Sequence, residues 1–155
     1  MRLLMKILAP LVGWLAFRMF HSAVFKRSAA KHRMVMKWFR FAADNGSTRA
    51  LSVYGHLLHF RGEGLDNRIQ GAIYLERAAL QGDQKAAYQM ANVYEAGYQN
   101  FPQSDAKAWL YYQQAAKSGH VLALKRVIQI YREGGLGQSA SPELAAYWQA
   151  LAERE

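Results

Sequence analysis

The chain has 155 residues, 52% of them hydrophobic, no cysteine, and 20 Lys or Arg against 11 Asp or Glu, giving a formal charge of +9. This length suits one ordinary domain with a continuous core, and the lack of cysteine excludes a disulfide scaffold, a zinc-thiolate site and a cysteine nucleophile. Nine of the basic residues lie within 1–41, where there is no acid, and the other 11 balance the 11 acids, so one end of the molecule suits a surface of opposite sign, either a lipid headgroup layer or a phosphate backbone.

Residues 1–27 read as a hydrophobic N-terminal segment and 28–155 as a repeat region. Leu3 to Phe25 is apolar except for Lys6, Arg18 and His21. The uninterrupted core, Ile7 to Phe17, has 11 residues, shorter than the roughly 20 a bilayer-spanning helix needs. Extension to Phe25 reaches spanning length but encloses Arg18, which costs about 2.5–3.5 kcal/mol at the centre of a span and is offset by the Leu, Ile, Phe and Val around it.

The leading reading is a single membrane anchor. Leu8, Leu11, Val12, Trp14, Leu15, Phe17 and Phe20 then contact lipid, and Lys26, Arg27, Lys31 and Arg33 meet the headgroups. The excess of basic residues on the carboxyl side places the repeats in the cytoplasm. Three other readings compete. A helix lying in the interface leaves Arg18 and His21 in water. A degenerate extra repeat caps the array, with Pro10 36 residues ahead of Gly46. A cleaved secretory signal fits the short apolar core, although His21-Ser22-Ala23 is a poor cleavage sequence.

Ser28 to Asp44 has the pattern of one helix: Met34, Trp38, Phe39 and Phe41 recur at helical spacing, and Asn45-Gly46 supplies residue types that end helices. Ser47 caps a helix running to about Arg61, and Gly62-Glu63-Gly64 breaks it. Asp66 or Asn67 starts its partner, Arg68 to Gln81. The next pair is Gln84 to Ala96 and, after Gly97 and a Phe101-Pro102 turn, a helix capped by Ser104 or Asp105 and reaching Lys117. A further helix, Val121 to Glu133, ends at Gly134-Gly135-Leu136-Gly137, and Ser141 with Pro142 starts the last.

One phrase recurs: Ala42-Ala43-x-x-Gly46, Ala78-Ala79-x-x-Gly82 and Ala115-Ala116-x-x-Gly119, the glycines 36 and 37 residues apart. Trp38-Phe39, Tyr74-Leu75, Tyr111-Tyr112 and Tyr147-Trp148 recur with it. Such a period marks a repeat array. The expected fold is all-α, a right-handed α-solenoid of about three and a half antiparallel helix pairs preceded by an apolar N-terminal helix. The Ala pairs, with Ala50, Ala86 and Ala123, let helices approach closely while Tyr, Trp, Leu and Met fill the space between.

These repeats resemble the Sel-one-like family, a relative of the tetratricopeptide repeat. Its spacing is followed by Gly82, Ala86, Met90-Ala91, Tyr94, Gly97, Ala108, Tyr111-Tyr112 and Ala115-Ala116. A second copy follows as Gly119, Ala123, Val127-Ile128, Tyr131, Gly134 and Tyr147-Trp148. The first repeat keeps Ala50 and Gly55 but has one extra residue before Gly62. The resemblance covers about Lys37 to Glu155. It implies a non-catalytic adaptor that holds protein partners together, often at membranes in bacteria, and with the anchor it suggests the inner membrane.

Function on a common architecture must be argued from a site. Three polar columns share one face of the first helices: Ser52, His56 and His59; Tyr88, Asn92 and Glu95; Lys125, Gln129 and Arg132. Aligned, they make a groove in which Asn and Lys or Arg hydrogen-bond a peptide backbone or its terminal carboxylate; the competing reading is that they are the solvated residues of three helices. His56 and His59 lack a third metal ligand in sequence. Ser28-x-x-Lys31 lacks the companion motifs of penicillin-recognising enzymes, and Gly134 to Gly137 lacks the spacing and Lys of a phosphate loop. No catalytic residue, metal, cofactor or small-molecule substrate is assigned. The favoured function is a membrane-tethered adaptor for a protein partner in a membrane-associated complex. The alternative is a soluble regulator whose basic first helix, carrying Trp38, Phe39 and Phe41, contacts nucleic acid.

Overall fold

The structure, a computed structural model, describes residues 2–22 and 28–154. Eight helices occupy these residues: α1 (Arg2–His21), α2 (Ala29–Asp44), α3 (Thr48–Arg61), α4 (Gly64–Leu80), α5 (Gln84–Ala96), α6 (Asp105–Lys117), α7 (Val121–Glu133) and α8 (Pro142–Ala152). No strand is present among the described residues, only two isolated bridges. Chain contacts divide the protein into two compact units, Met1–Gln81 and Gly82–Glu155.

Local chemistry sets most helix limits. Ser28, Ser47, Asp83, Ser104 and Ser141 each accept a backbone N–H of the following first turn, satisfying donors that a helix start leaves unpaired. His120 does the same for α7, its Nδ1 accepting from the Ala123 N–H at 3.3 Å. The repeat glycines Gly46, Gly82 and Gly119 have φ of 95°, 92° and 83°, a conformation that glycine enters without steric penalty.

One start differs from the sequence expectation. Helix α4 begins at Gly64, ahead of the expected Asp66 or Asn67, and its cap residue Glu63 makes no side-chain cap bond. The Asn67 side chain instead donates to the Glu63 carbonyl at 2.7 Å, so the asparagine closes the turn from inside the helix.

In the first unit, α1 and α2 run antiparallel: Phe20 meets His32 and Phe39, and Gly13, near the middle of α1, faces Ala42 and Ala50. Ala9 and Ala16 are fully buried, as are Val35, Phe39, Ala42, Ala43 and Ala50 to within 1%. Helices α3 and α4 form the next antiparallel pair, with Leu51 and Leu75 completely buried. Each such leucine contributes about 1.5–3 kcal/mol over its exposed state.

The second unit repeats the plan with pairs α5/α6 and α7/α8. Its core is Met90, Tyr112, Val127 and Ile130, all 2% exposed or less. Both pairs turn through the same small hairpin. The Gly97 and Gly134 φ values are 77° and 83°, followed by bridges Tyr98 to Phe101 and Gly135 to Gln138. Among the described residues, the architecture is the all-α array of antiparallel helix pairs read from the repeat.

Candidate functional site

Helix α5 presents Tyr88, Asn92 and Glu95 at steps of four and three residues, and α7 presents Leu122, Lys125, Arg126 and Gln129. Together with Tyr112 of α6 they line a depression of about 350 Å³ in the second unit. Five of the expected groove residues therefore meet in one place: Tyr88, Asn92, Glu95, Lys125 and Gln129. Arg132 is not among them; its Nη2 donates to Gln149 Oε1 on α8 at 3.4 Å.

The floor of this depression is a connected polar network. The Tyr112 hydroxyl lies 2.6 Å from Asn92 Oδ1 and 2.6 Å from Glu95 Oε2, sharing one proton between them. Arg126 donates to Oε1 of Glu95, and also to Gln129 Oε1 at 3.1 Å. Burial, then the Glu95 hydrogen bond, pushes the Tyr112 hydroxyl far above its ordinary pKa. Glu95 is thus the hub that holds three helices in register, so its carboxylate is already engaged by protein. Tyr88 stacks on His120 with ring centroids 4.5 Å apart. What the depression offers a ligand is the Asn92 amide, the exposed Lys125 ammonium, the Tyr88 ring and the Leu122 side chain, a mixture suited to peptide.

The first column sits differently. Ser52 is 6% exposed, so it is part of the interior and does not line a surface as expected. His56 Nδ1 lies 2.7 Å from the Ser52 carbonyl and His59 Nδ1 lies 3.1 Å from that of Arg68. Both rings contact Phe60. Among the described residues no group of three His, Asp or Glu converges as a metal site.

Helix α1 is long and apolar enough to cross a membrane by length and composition. Its expected lipid-facing residues divide between two faces. Leu8, Leu11, Trp14 and Leu15 are 39–59% exposed, together with Leu3, Leu4 and Ile7 at 59–73%. Phe17 and Phe20 turn toward the repeats: the Arg49 guanidinium stands 4.1 Å from the Phe17 ring centroid and Phe20 packs edge-on to Phe39. Val12 is half-buried and, with Leu15, Trp38 and Phe41, lines an apolar depression of about 360 Å³. Of the expected headgroup contacts, Lys31 and Arg33 are exposed on α2; Lys26 and Arg27 lie outside the described residues.

The residues missed in the sequence were Tyr112, Arg126 and Leu122 in the polar depression and the Trp38–Phe41 contribution beside α1. Tyr112 belongs to an aromatic pair that reads as core, and nothing local signals that its hydroxyl reaches α5.

Comparison with known proteins bears on the architecture. The Sel1 repeat model matches residues 36–47, 48–83, 84–120 and 129–152. The chitin synthase regulator SKT5 of Saccharomyces cerevisiae is 30% identical over 128 residues, covering 76% of this chain. The chain spans only 18% of that yeast protein's length. Among solved structures, a Sel1 repeat protein from Oxalobacter formigenes superposes with a TM-score of 0.75 at 22% identity, over 92% of this chain and 57% of the other. The protective antigen c5321 of uropathogenic Escherichia coli, which displays an SLR fold, gives 0.63 at 19% identity over 78% and 26%. These likenesses show the helical-repeat solenoid fold.

Proposed function

The chain belongs to the Sel1 repeat family, whose members typically serve as protein–protein interaction adaptors, and on that premise we propose that it is a non-catalytic, membrane-tethered adaptor. Helix α1 supplies the tether, and the depression between α5, α6 and α7 takes part in holding a protein partner of a membrane-associated complex. The observation that carries the tether is the outer face of α1: seven of the 17 exposed large apolar side chains among the described residues stand on this one helix. Contiguous apolar exposure on this scale marks a surface that is covered in use. The basic excess of residues 1–41 favours a membrane with its repeats on the anionic, cytoplasmic side, as in the inner membrane of a bacterium.

Fractionation of the full chain, combined with site-specific crosslinking, tests both parts. The chain is expected to stay with membranes through a high-salt wash and leave with detergent. A photo-crosslinker at Gln129 is expected to trap a protein that the double variant Lys125→Glu, Asn92→Ala no longer traps. Release by salt alone would remove the tether and favour phosphate contacts, which weaken steeply with salt. Crosslinking that the double variant leaves unchanged would remove the depression from the binding surface.

A further inference from the structure

Helix α1 has two apolar sides of different character. The inner one is made of small residues, Ala9, Gly13 and Ala16, all buried. A Cβ placed on Gly13 would meet Ser47 Oγ at 3.2 Å and the Ala42 and Ala50 Cβ atoms at 3.4 Å. The outer side carries large residues in one stripe, Leu4, Ile7, Leu11 and Trp14, at steps of three and four, which are 47–65% exposed. The stripe ends in Arg18, whose guanidinium lies 5.5 Å from the Trp14 ring centroid.

We infer that α1 engages an anionic lipid surface while still docked on the repeats, lying along the bilayer plane without crossing it. This rests on the proposal that α1 is the tether and specifies how it acts. Crossing would require α1 to leave α2 and α3. Val35, Phe39, Ala42 and Ala50, now at most 1% exposed, would then lose their cover. A span would also place Lys6 or Arg18 within the hydrocarbon, whereas an in-plane helix keeps both at the headgroup level.

An interfacial helix ordinarily has a polar side of its own. Here the inner side is covered by protein, and polar surface comes from α2. Lys31 shares the stripe of Met34, Trp38 and Phe41 on α2, and Trp38 and Phe41 join Val12 and Leu15 in one apolar depression. The lipid-facing surface therefore continues from α1 onto α2, with Arg18 at the end of one stripe and Lys31 in the other, and every other charged residue before Asp44 is basic. Trp14 and Arg18 are residue types that settle at the headgroup boundary. The single sign of these charges selects an anionic leaflet over a second copy of the same surface, which would repel it.

The chain has no cysteine, so single cysteines report topology cleanly. Purified full-length protein is floated with vesicles of phosphatidylcholine alone and vesicles with about one third phosphatidylglycerol. Binding to the anionic vesicles is expected, falling about tenfold or more in the double variant Ile7→Asp, Leu11→Asp, with the helical circular dichroism retained because both side chains are exposed. In inside-out membrane vesicles from expressing cells, Arg2→Cys and Asn100→Cys are both expected to react with an impermeant maleimide from the outside.

Labelling of Arg2→Cys only after detergent, with Asn100→Cys labelled before it, would overturn the in-plane arrangement and leave the tether standing. Failure to float with either vesicle, or equal binding by the double variant, would overturn the membrane tether itself. A lipid-free dimer that dissociates in the double variant, without flotation, would assign the face to a second copy.

Discussion

Gly55 of α3 and Gly71 of α4 face each other across the first unit with no side chain between them. A Cβ on Gly71 would stand 2.8 Å from the Gly55 carbonyl oxygen and 2.8 Å from His59 Cα, and one on Gly55 would stand 2.9 Å from the Leu75 N. The two helices thus touch backbone to backbone, and the obstructing atoms cannot rotate away.

Gly71→Ala is therefore expected to destabilise the protein by about 1–3 kcal/mol, as overpacking does where the backbone must shift. The helix propensity gained by replacing glycine, about 1 kcal/mol, is too small to reverse the sign. Thermal or urea unfolding checks this, and a Gly71→Ala protein as stable as the parent would show that α3 and α4 are not in backbone contact.

Gly13 probes the seat of α1. Gly13→Ala requires its neighbours to give by only a few tenths of an ångström, whereas Gly13→Leu cannot be seated against Ser47, Ala42 and Ala50. The leucine variant is expected to lose about 1–3 kcal/mol and the alanine variant much less. If α1 stood away from the repeats, both variants would unfold like the parent.

Tyr74 links two helices by donating to Asp44 Oδ1 at 2.6 Å. Burial, reinforced by the hydrogen bond to Asp44, pushes its hydroxyl from 10.0 up to about 12. A raised acid pKa means that the unfolded chain gives up its proton first. The stabilisation is complete below pH 10.0 and is lost as pH rises toward about 12. Tyr74→Phe should lower stability at neutral pH by about 1 kcal/mol and flatten the alkaline limb of the stability profile, measured by denaturant midpoints across that range.

His120 caps α7 only as a neutral ring, since its Nδ1 accepts the Ala123 N–H. Burial first, then the nearby Lys85, holds its pKa below the ordinary 6.5, against a smaller opposing effect of Asp83. A depressed base pKa means that the unfolded chain takes up the proton first, so stability is full above pH 6.5 and falls as the solution is acidified below it. His120→Asn keeps a capping acceptor that does not titrate. Subtracting its pH profile from that of the parent should isolate an acid-side loss; identical profiles would remove the capping role.

At the Glu95 hub, Arg126→Met and Tyr112→Phe are each expected to destabilise the protein. The first leaves a carboxylate 29% exposed without its cation and the second removes a hydrogen bond to that charged group, each at a cost of about 1.5–3 kcal/mol. Unfolding of both variants and of the double variant would show coupling between the two positions, and strict additivity would mean that Glu95 does not join them.

Helix limits and repeat phase were legible in the sequence because their causes are local. A capping side chain reaches three residues ahead, a repeat glycine needs only its own φ, and an apolar stripe follows a 3.6-residue period. Even the meeting of Tyr88, Asn92, Lys125 and Gln129 followed from repeat spacing. Tertiary structure decided the rest. Periodicity marks α1 as apolar without saying which apolar side meets protein, so Phe17 and Phe20 turned inward while Leu4, Ile7 and Leu11 faced out. Ser52 is interior because of what packs over it, and Glu95 is engaged because Tyr112 and Arg126 arrive from helices 17 and 31 residues away in the chain. Which of several chemically equivalent faces and partners a side chain takes depends on packing across the whole repeat, and no short stretch of sequence records that choice.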